Sequence, residues 1–240
     1  LYGFHDVKNN FSTGDWLRYA IKKIKELKIK KKTPIFVGGT GLYFKALTHG
    51  LANIPNIPIR SRNKVRALHK NLGQKKFYQK LLKLGSNSED KINPTDSQRS
   101  IRAFEVKQFT KKSLHDWFEN TKSNFDKDDF FKIYIDFPRA ELIQRISKRT
   151  EQMIKIGAIK EVERFIKLKV SKDKSVNKAI GINEIKEYLQ EKKDLNVVME
   201  KIAIKTRQYA KRQSTWARGN MMSWLRLRPQ DLNKFLKKIK

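Results

Sequence analysis

The sequence predicts an α/β fold interrupted by a helical insertion, and three observations carry that expectation. A short apolar run, Pro34-Ile35-Phe36-Val37, is stopped by Gly38-Gly39 and leads into a helical pattern, the strand–glycine turn–helix order of an α/β unit. Residues 62–122 carry helical periodicity alone. Alternation then resumes over 130–136, where Phe131, Ile133 and Ile135 interleave with Lys132 and Tyr134, so the chain returns to a sheet.

Taken in order, Ser12 and Asp15 have capping-box spacing ahead of Leu17, Ile21, Ile24 and Leu27, which predicts a helix over 15–28. Basic residues over 28–32 suit the negative end of its dipole. After the strand at 34–37 comes a helix over 40–47. Residues 50–61 hold Pro55 and Pro58 without an apolar period and read as a linker. Inside the insertion, Val65 and Leu68, then Phe77, Leu81 and Leu84, then Ile101, Phe104 and Val106 form apolar stripes, with Gly73 and Gly85 as stops. Past the second strand, Pro138 fits a helix's first turn, and Leu142, Ile146 and Met153 share one face until Gly157. Helices over 158–169, 178–191 and 194–218, a strand over 223–227 and a basic tail complete the chain. The expected division is a core of 1–52 and 123–240 around a helical insertion of 53–122.

Composition bounds the chemistry. The 240 residues suffice for one or two packed domains, and 55 Lys and Arg against 24 Asp and Glu leave a net charge of +31. That surplus exceeds what solubility requires and points to a polyanionic partner. The absence of cysteine excludes disulfides, thiolate zinc sites and cysteine nucleophiles. No run of about 18 apolar residues occurs, and residues 1–6 lack the order of a signal peptide, so the expectation is a soluble, cytoplasmic protein without a membrane partner. Because the chain opens at Leu1 inside an ordered pattern, an N-terminal portion is expected to precede it.

Three stretches carry the functional signal. Gly38, Gly39 and Thr40, followed by Gly41-Leu42-Tyr43, put small residues and a hydroxyl where free helix-start N–H groups can receive a phosphate; a plain tight turn is the bland alternative. Neither GxGxxG nor GxxxxGK[ST] occurs. Residues 93–102 open a helix with Gln98, Arg99, Ser100, Ile101 and Arg102, a set able to hold a phosphate or a base edge, or to form a solvated basic face. From Thr206 to Arg218, cations, amides and aromatics interleave: Lys211, Arg212 and Arg218 for phosphates, Trp216 for stacking, unless Tyr209 and Trp216 pack on the core. Residues 201–240 carry 12 Lys and Arg against the single acid Asp231. His5, His49, His69 and His115 lack ligand spacing, so no metal is assigned to them; adjacent His5 and Asp6 could suggest acid–base work, but neighbours on a strand point apart, which favours a structural role.

Taken together, these residues resemble the tRNA dimethylallyltransferases, also called tRNA isopentenyltransferases. Seven signals match in order: Phe4-His5-Asp6-Val7 with Asp15; Val37 to Phe44 against GGTxLYF; Arg62 after the linker; Gln98 to Arg102 against QRxxR; the helical set Leu142, Arg145, Ile146, Arg149, Met153, Gly157, Glu161 and Val162; Lys178-Ala179-Ile180-Gly181 against KAIG; and Thr206 to Arg218 against TRQxAKRQxTWxR. The resemblance implies a P-loop NTPase-like parallel-sheet core with a helical insertion, its first strand and phosphate loop lying ahead of Leu1. It implies transfer of a dimethylallyl group from dimethylallyl diphosphate, with Mg²⁺, to N6 of the adenosine 3′ of a tRNA anticodon.

By the same resemblance, Thr40 and Arg62 stand at the reacting centre and Gly38 and Gly39 near the diphosphate. Gln98, Arg99, Ser100, Ile101 and Arg102 contact tRNA, as do Lys178, Ala179, Ile180 and Gly181. Lys211, Arg212, Gln213, Ser214, Thr215, Trp216, Ala217 and Arg218 complete the RNA surface of an enzyme expected to act as a monomer. The family's Walker A loop and general-base aspartate precede GGT and have no counterpart in this sequence, so the piece alone is expected to be inactive. After KAIG, Ile182 and Asn183 replace the family's Tyr and basic residue. A non-catalytic RNA-binding module would share the charge, and a small-molecule kinase would share the α/β core but leave the arginine patterns unexplained.

Overall fold

The computed structural model describes residues 3–84, 92–191 and 193–238. The chain divides into two compact units, 45–127 and the remainder. This division falls eight residues before and five residues after the expected insertion of 53–122. Gly85 lies outside the described residues.

The 45–127 unit is helical: α3 (Ile59–Lys83), α4 (Ser97–Thr110) and α5 (Leu114–Glu119), entered from the second half of α2 (Gly41–His49). Its core is Val65, Phe77 and Leu81 of α3 against Ala103 and Phe104 of α4, with the Phe77 and Phe104 ring centroids 4.9 Å apart. Gly73, expected as a stop, is non-helical at φ 70° and breaks α3 into two helices across a kink, a conformation that glycine adopts without steric penalty. The two segments that enter and leave the unit run side by side. Ser123 donates to the Thr48 carbonyl at 3.3 Å, and a Cβ on Gly50 (φ 84°) would overlap the Lys122 carbonyl.

The other unit holds α1 (Thr13–Ile29), β1 (Ile133–Ile135), α6 (Arg139–Ile156), α7 (Ala158–Lys167), α8 (Ile182–Glu191), α9 (Leu195–Asn220), β2 (Leu225–Leu227) and α10 (Pro229–Lys238). The capping box starts α1 as its spacing predicts: Ser12 Oγ accepts from Asp15 N at 3.1 Å, and Asp15 returns the bond to Ser12 N at 2.8 Å. Those bonds from Ser12, aided by Arg18, hold the Asp15 carboxyl below its ordinary range. Strands β1 and β2 pair in parallel, Ile133 with Leu225 and Ile135 with Leu227. A parallel pair needs a long crossover, and α6 to α9 provide it. Ala158, Val162, Ile185, Val198 and Ile202 form the core beneath that crossover. Gly157, at φ 113°, ends α6 as expected.

Among the described residues, 34–37 form no strand; Ile35 and Val37 are 84% and 77% exposed, while Phe36 meets the Trp16 ring edge at 6.2 Å. An apolar run signals burial, but a strand also needs an edge to pair with, and the sheet among the described residues consists of β1 and β2. The two strands present are also shorter than the alternation suggests; Phe131 is largely exposed and stacks on Phe235 at 5.8 Å instead of entering the ladder. The described fold is therefore mostly helical α/β with a small parallel sheet.

Candidate prenyl-transfer and RNA-binding site

The site is built on α9. Asp194 caps its start by accepting from the Asn196 and Val197 N–H groups, and Val198, Ile202 and Ala203 bury one face. Further along, the helix meets the glycine loop. Gln213 Nε2 donates to the Gly39 carbonyl at 2.9 Å, and a Cβ on Gly39 would strike that same amide. A Cβ on Gly41 would enter the six-membered ring of Trp216. Gly41 is thus required by close approach to a rigid ring, whereas Gly39 meets the movable end of Gln213; the two contacts join the GGT and TRQ motifs into one piece of surface.

Thr40 stands exposed immediately before α2, its carbonyl receiving the Tyr43 N–H at 3.0 Å. Tyr43 stacks on Trp16 with centroids 4.4 Å apart and an 11° tilt, while Phe44 meets Trp224 edge-on at 5.5 Å. These ring contacts fix the first turn of α2, whose leading N–H groups and dipole suit an anion beside Thr40. Gly38 has open space around it.

On α9, Lys211, Arg212, Thr215 and Arg218 are exposed, Gln213, Ser214 and Trp216 are half-buried, and Ala217 is buried. Of the two rings given a packing alternative, Trp216 packs on Gly41 and Tyr209 does not pack inward. Tyr209 is exposed and carries the Arg212 guanidinium over its face at 5.7 Å.

The KAIG segment follows a 3₁₀ turn over Ser175–Lys178. Lys178 and Ala179 are exposed, Ile180 packs on the core, and Gly181 is buried at φ 104°. The Gly181 N–H donates to Glu184 Oε2 at 2.8 Å, and Glu184, 2% exposed, also accepts from Lys205 on α9. Burial alone would push the Glu184 carboxyl up, but the Lys205 and Gly181 hydrogen bonds bring it below its ordinary range; the same bond raises Lys205. The sequence reading missed this link. Its signal was a glutamate three residues after Gly181, the capping-box offset.

In the helical unit, Asp96 caps α4 by accepting from Arg99 N at 3.0 Å, leaving Gln98 and Arg99 exposed on the first turn. Arg62 and Arg102 lie 3.8 and 3.5 Å from the buried Glu105 carboxylate. Ser100 is wholly buried, its hydroxyl donating to the Asp96 carbonyl at 2.8 Å and accepting from Gln74 at 3.1 Å. Ala217 is likewise interior. Ile101 packs against the helical core, as Ile180 does in the other unit.

The family model described as IPP transferase matches residues 1–220. A tRNA dimethylallyltransferase of Pelagibacter ubique is 54% identical over all 240 residues, which span 77% of that protein. The chain belongs to the IPP transferase family. The corresponding enzyme of Mesorhizobium japonicum is 38% identical over 96% of this chain and 72% of its own length. The solved tRNA delta(2)-isopentenylpyrophosphate transferase of Staphylococcus epidermidis superposes with a TM-score of 0.61 at 28% identity, covering 98% of this chain and 78% of that one. A eukaryotic dimethylallyltransferase acting on tRNA shares the fold at a TM-score of 0.78 and 22% identity, over 98% and 62% of the two chains.

Among the described residues no three His, Asp or Glu side chains converge as a group able to hold a metal ion. No described helix is long and apolar enough to cross a membrane.

Proposed function

We propose that this IPP transferase moves a dimethylallyl group from dimethylallyl diphosphate to N6 of the adenosine 3′ of a tRNA anticodon. The observation that carries the reading is the junction of the GGT loop with α9. Gly39 and Gly41 let a phosphate-suited helix start lie directly against the Gln213 and Trp216 of a cationic helix. An exocyclic adenine amine is a weak nucleophile because its lone pair is delocalised, so the allylic carbon must be made electrophilic by stabilising the departing diphosphate. Gly38, Gly39 and the N–H groups opening α2 receive that charge. Thr40 hydrogen-bonds at the reacting centre. Lys211, Arg212 and Arg218 hold the RNA backbone, and the extruded base is compensated by edge and stacking contacts.

The test is transfer of label from dimethylallyl diphosphate to an anticodon stem-loop by the full-length protein. Thr40→Ala is expected to lower kcat by about ten-fold or more with RNA affinity within about two-fold, because a hydrogen bond to the reacting group acts in the transition state. Absence of transfer to any adenosine-bearing tRNA by the wild type would instead favour the RNA-binding module. Phosphoryl transfer from ATP would favour the kinase.

A further inference from the structure

The helical unit contains a charge cluster that the family motifs only partly describe. Glu105 on α4 is 3% exposed, and three guanidiniums close on its carboxylate: Arg62 Nε and Arg66 Nε from α3, both at 3.8 Å, and Arg102 Nη1 from α4 at 3.5 Å. Residues 62 and 66 are one turn apart, as are 102 and 105, and the Phe77–Phe104 contact locks the two helices that carry them. A buried carboxylate needs opposite charge beside it, and one well-placed guanidinium is enough. Three leave the cluster with a surplus of two positive charges.

The cluster is also under-bonded. Arg102 to Glu105 Oε2 makes the one hydrogen bond in the cluster among the described residues, whereas Arg62 Nε and Glu105 Oε1 are buried without a partner. Each guanidinium carries five donors in a planar fork suited to phosphate, and all three side chains remain 38–53% exposed. The surroundings favour a polymer over a small anion. Residues 45–127 carry 18 Lys and Arg against 7 Asp and Glu, and Lys64 and Arg99 lie exposed on the same two helices.

We infer that Glu105 is a positioning residue that holds Arg62, Arg66 and Arg102 as a grip for RNA backbone phosphate, with Arg66 a contact that none of the motifs marks. The inference rests on the tRNA-binding reading above. It makes opposite predictions from simple charge counting, because Glu105→Gln adds a positive charge to the cluster while removing the carboxylate that orients it.

The experiment titrates a labelled anticodon stem-loop against the full-length wild type, Arg66→Ala and Glu105→Gln at several salt concentrations, with thermal unfolding and label transfer measured on the same preparations. Loss of one phosphate contact in Arg66→Ala should flatten the salt slope by about 0.7 and weaken binding about four-fold near 0.15 M salt. Glu105→Gln should weaken binding by at least about four-fold, the one-contact loss just given. An unchanged slope in Arg66→Ala, or tighter binding by Glu105→Gln, overturns the inference. If Glu105→Gln does not fold, Arg66→Ala decides alone, its side chain being 53% exposed. Competition by inorganic pyrophosphate that Arg66→Ala weakens, with the RNA slope unmoved, assigns the cluster to the leaving group and also overturns it. A wild type that binds RNA but transfers nothing sinks the proposed reaction while leaving the slope test intact.

Discussion

Gly41→Ala is expected to destabilise the protein by about 1–3 kcal/mol and to reduce dimethylallyl transfer to tRNA by about ten-fold or more. Two effects of opposite sign compete. Alanine is the better helix former, by at most about 1 kcal/mol in a helix interior and less at the first residue of α2. Against that, the new methyl would occupy the Trp216 ring, which cannot fold aside as a flexible chain does. Gly39→Ala is the control, since its methyl meets only the Gln213 amide, and loss of that hydrogen bond amounts to about 1 kcal/mol. The mechanism predicts rescue. Trp216→Leu in the Gly41→Ala background should recover part of the melting temperature, read as a favourable coupling in a double-mutant cycle. A fully additive cycle would show that ring and glycine do not meet.

The second large effect is at Glu184. Replacement by alanine removes the acceptor of the buried Gly181 N–H and the partner of Lys205, and should lower stability by about 2 kcal/mol. The figure sits low in the range for broken buried pairs because Lys205 is 53% exposed and is rehydrated. Glu184→Gln keeps an acceptor for Gly181 and should lose about half as much. The difference between wild type and Glu184→Gln depends on pH. The folded carboxyl lies below its ordinary value of 4.5, so its contribution is complete above that pH and is lost as acidification passes through the folded value. Lys205 lies above its ordinary 10.5, so its share is complete below 10.5 and is lost as pH rises through its folded value. Urea unfolding at stepped pH should therefore show a plateau between those limits. A difference that persists unchanged into strong acid would mean that the pair does not form.

Much of this protein is legible from local pattern. The capping box at Ser12 and Asp15, the stop at Gly157 and the long helix over Leu195–Asn220 follow from caps and periodicity, because they depend on residues within one turn of each other. The apolar run at 34–37 predicts a strand that the described residues do not form, for the converse reason: pairing depends on an edge supplied by distant chain, and four residues carry no trace of it. The ordered motifs mark Thr40, Arg62 and the cations of α9 as candidate residues. They do not distinguish Ser100 and Ala217, which face inward, from their exposed neighbours, since adjacent helix positions share a motif but not a surface.

The sequence by itself determined the chemistry on offer: most of the helices, though not α10, which reads as a basic tail; the charge of +31 that calls for a polyanion; and the ordered motifs of a prenyl-transferring family. Tertiary structure alone decided which of those residues meet. Gly39 is 174 positions from Gln213 and Gly41 is 175 from Trp216, the side chains they meet, and Glu105 and Glu184 hold cations from other helices. Close approach and desolvation are properties of distances in space. Chain order leaves those distances open until the apolar faces pack.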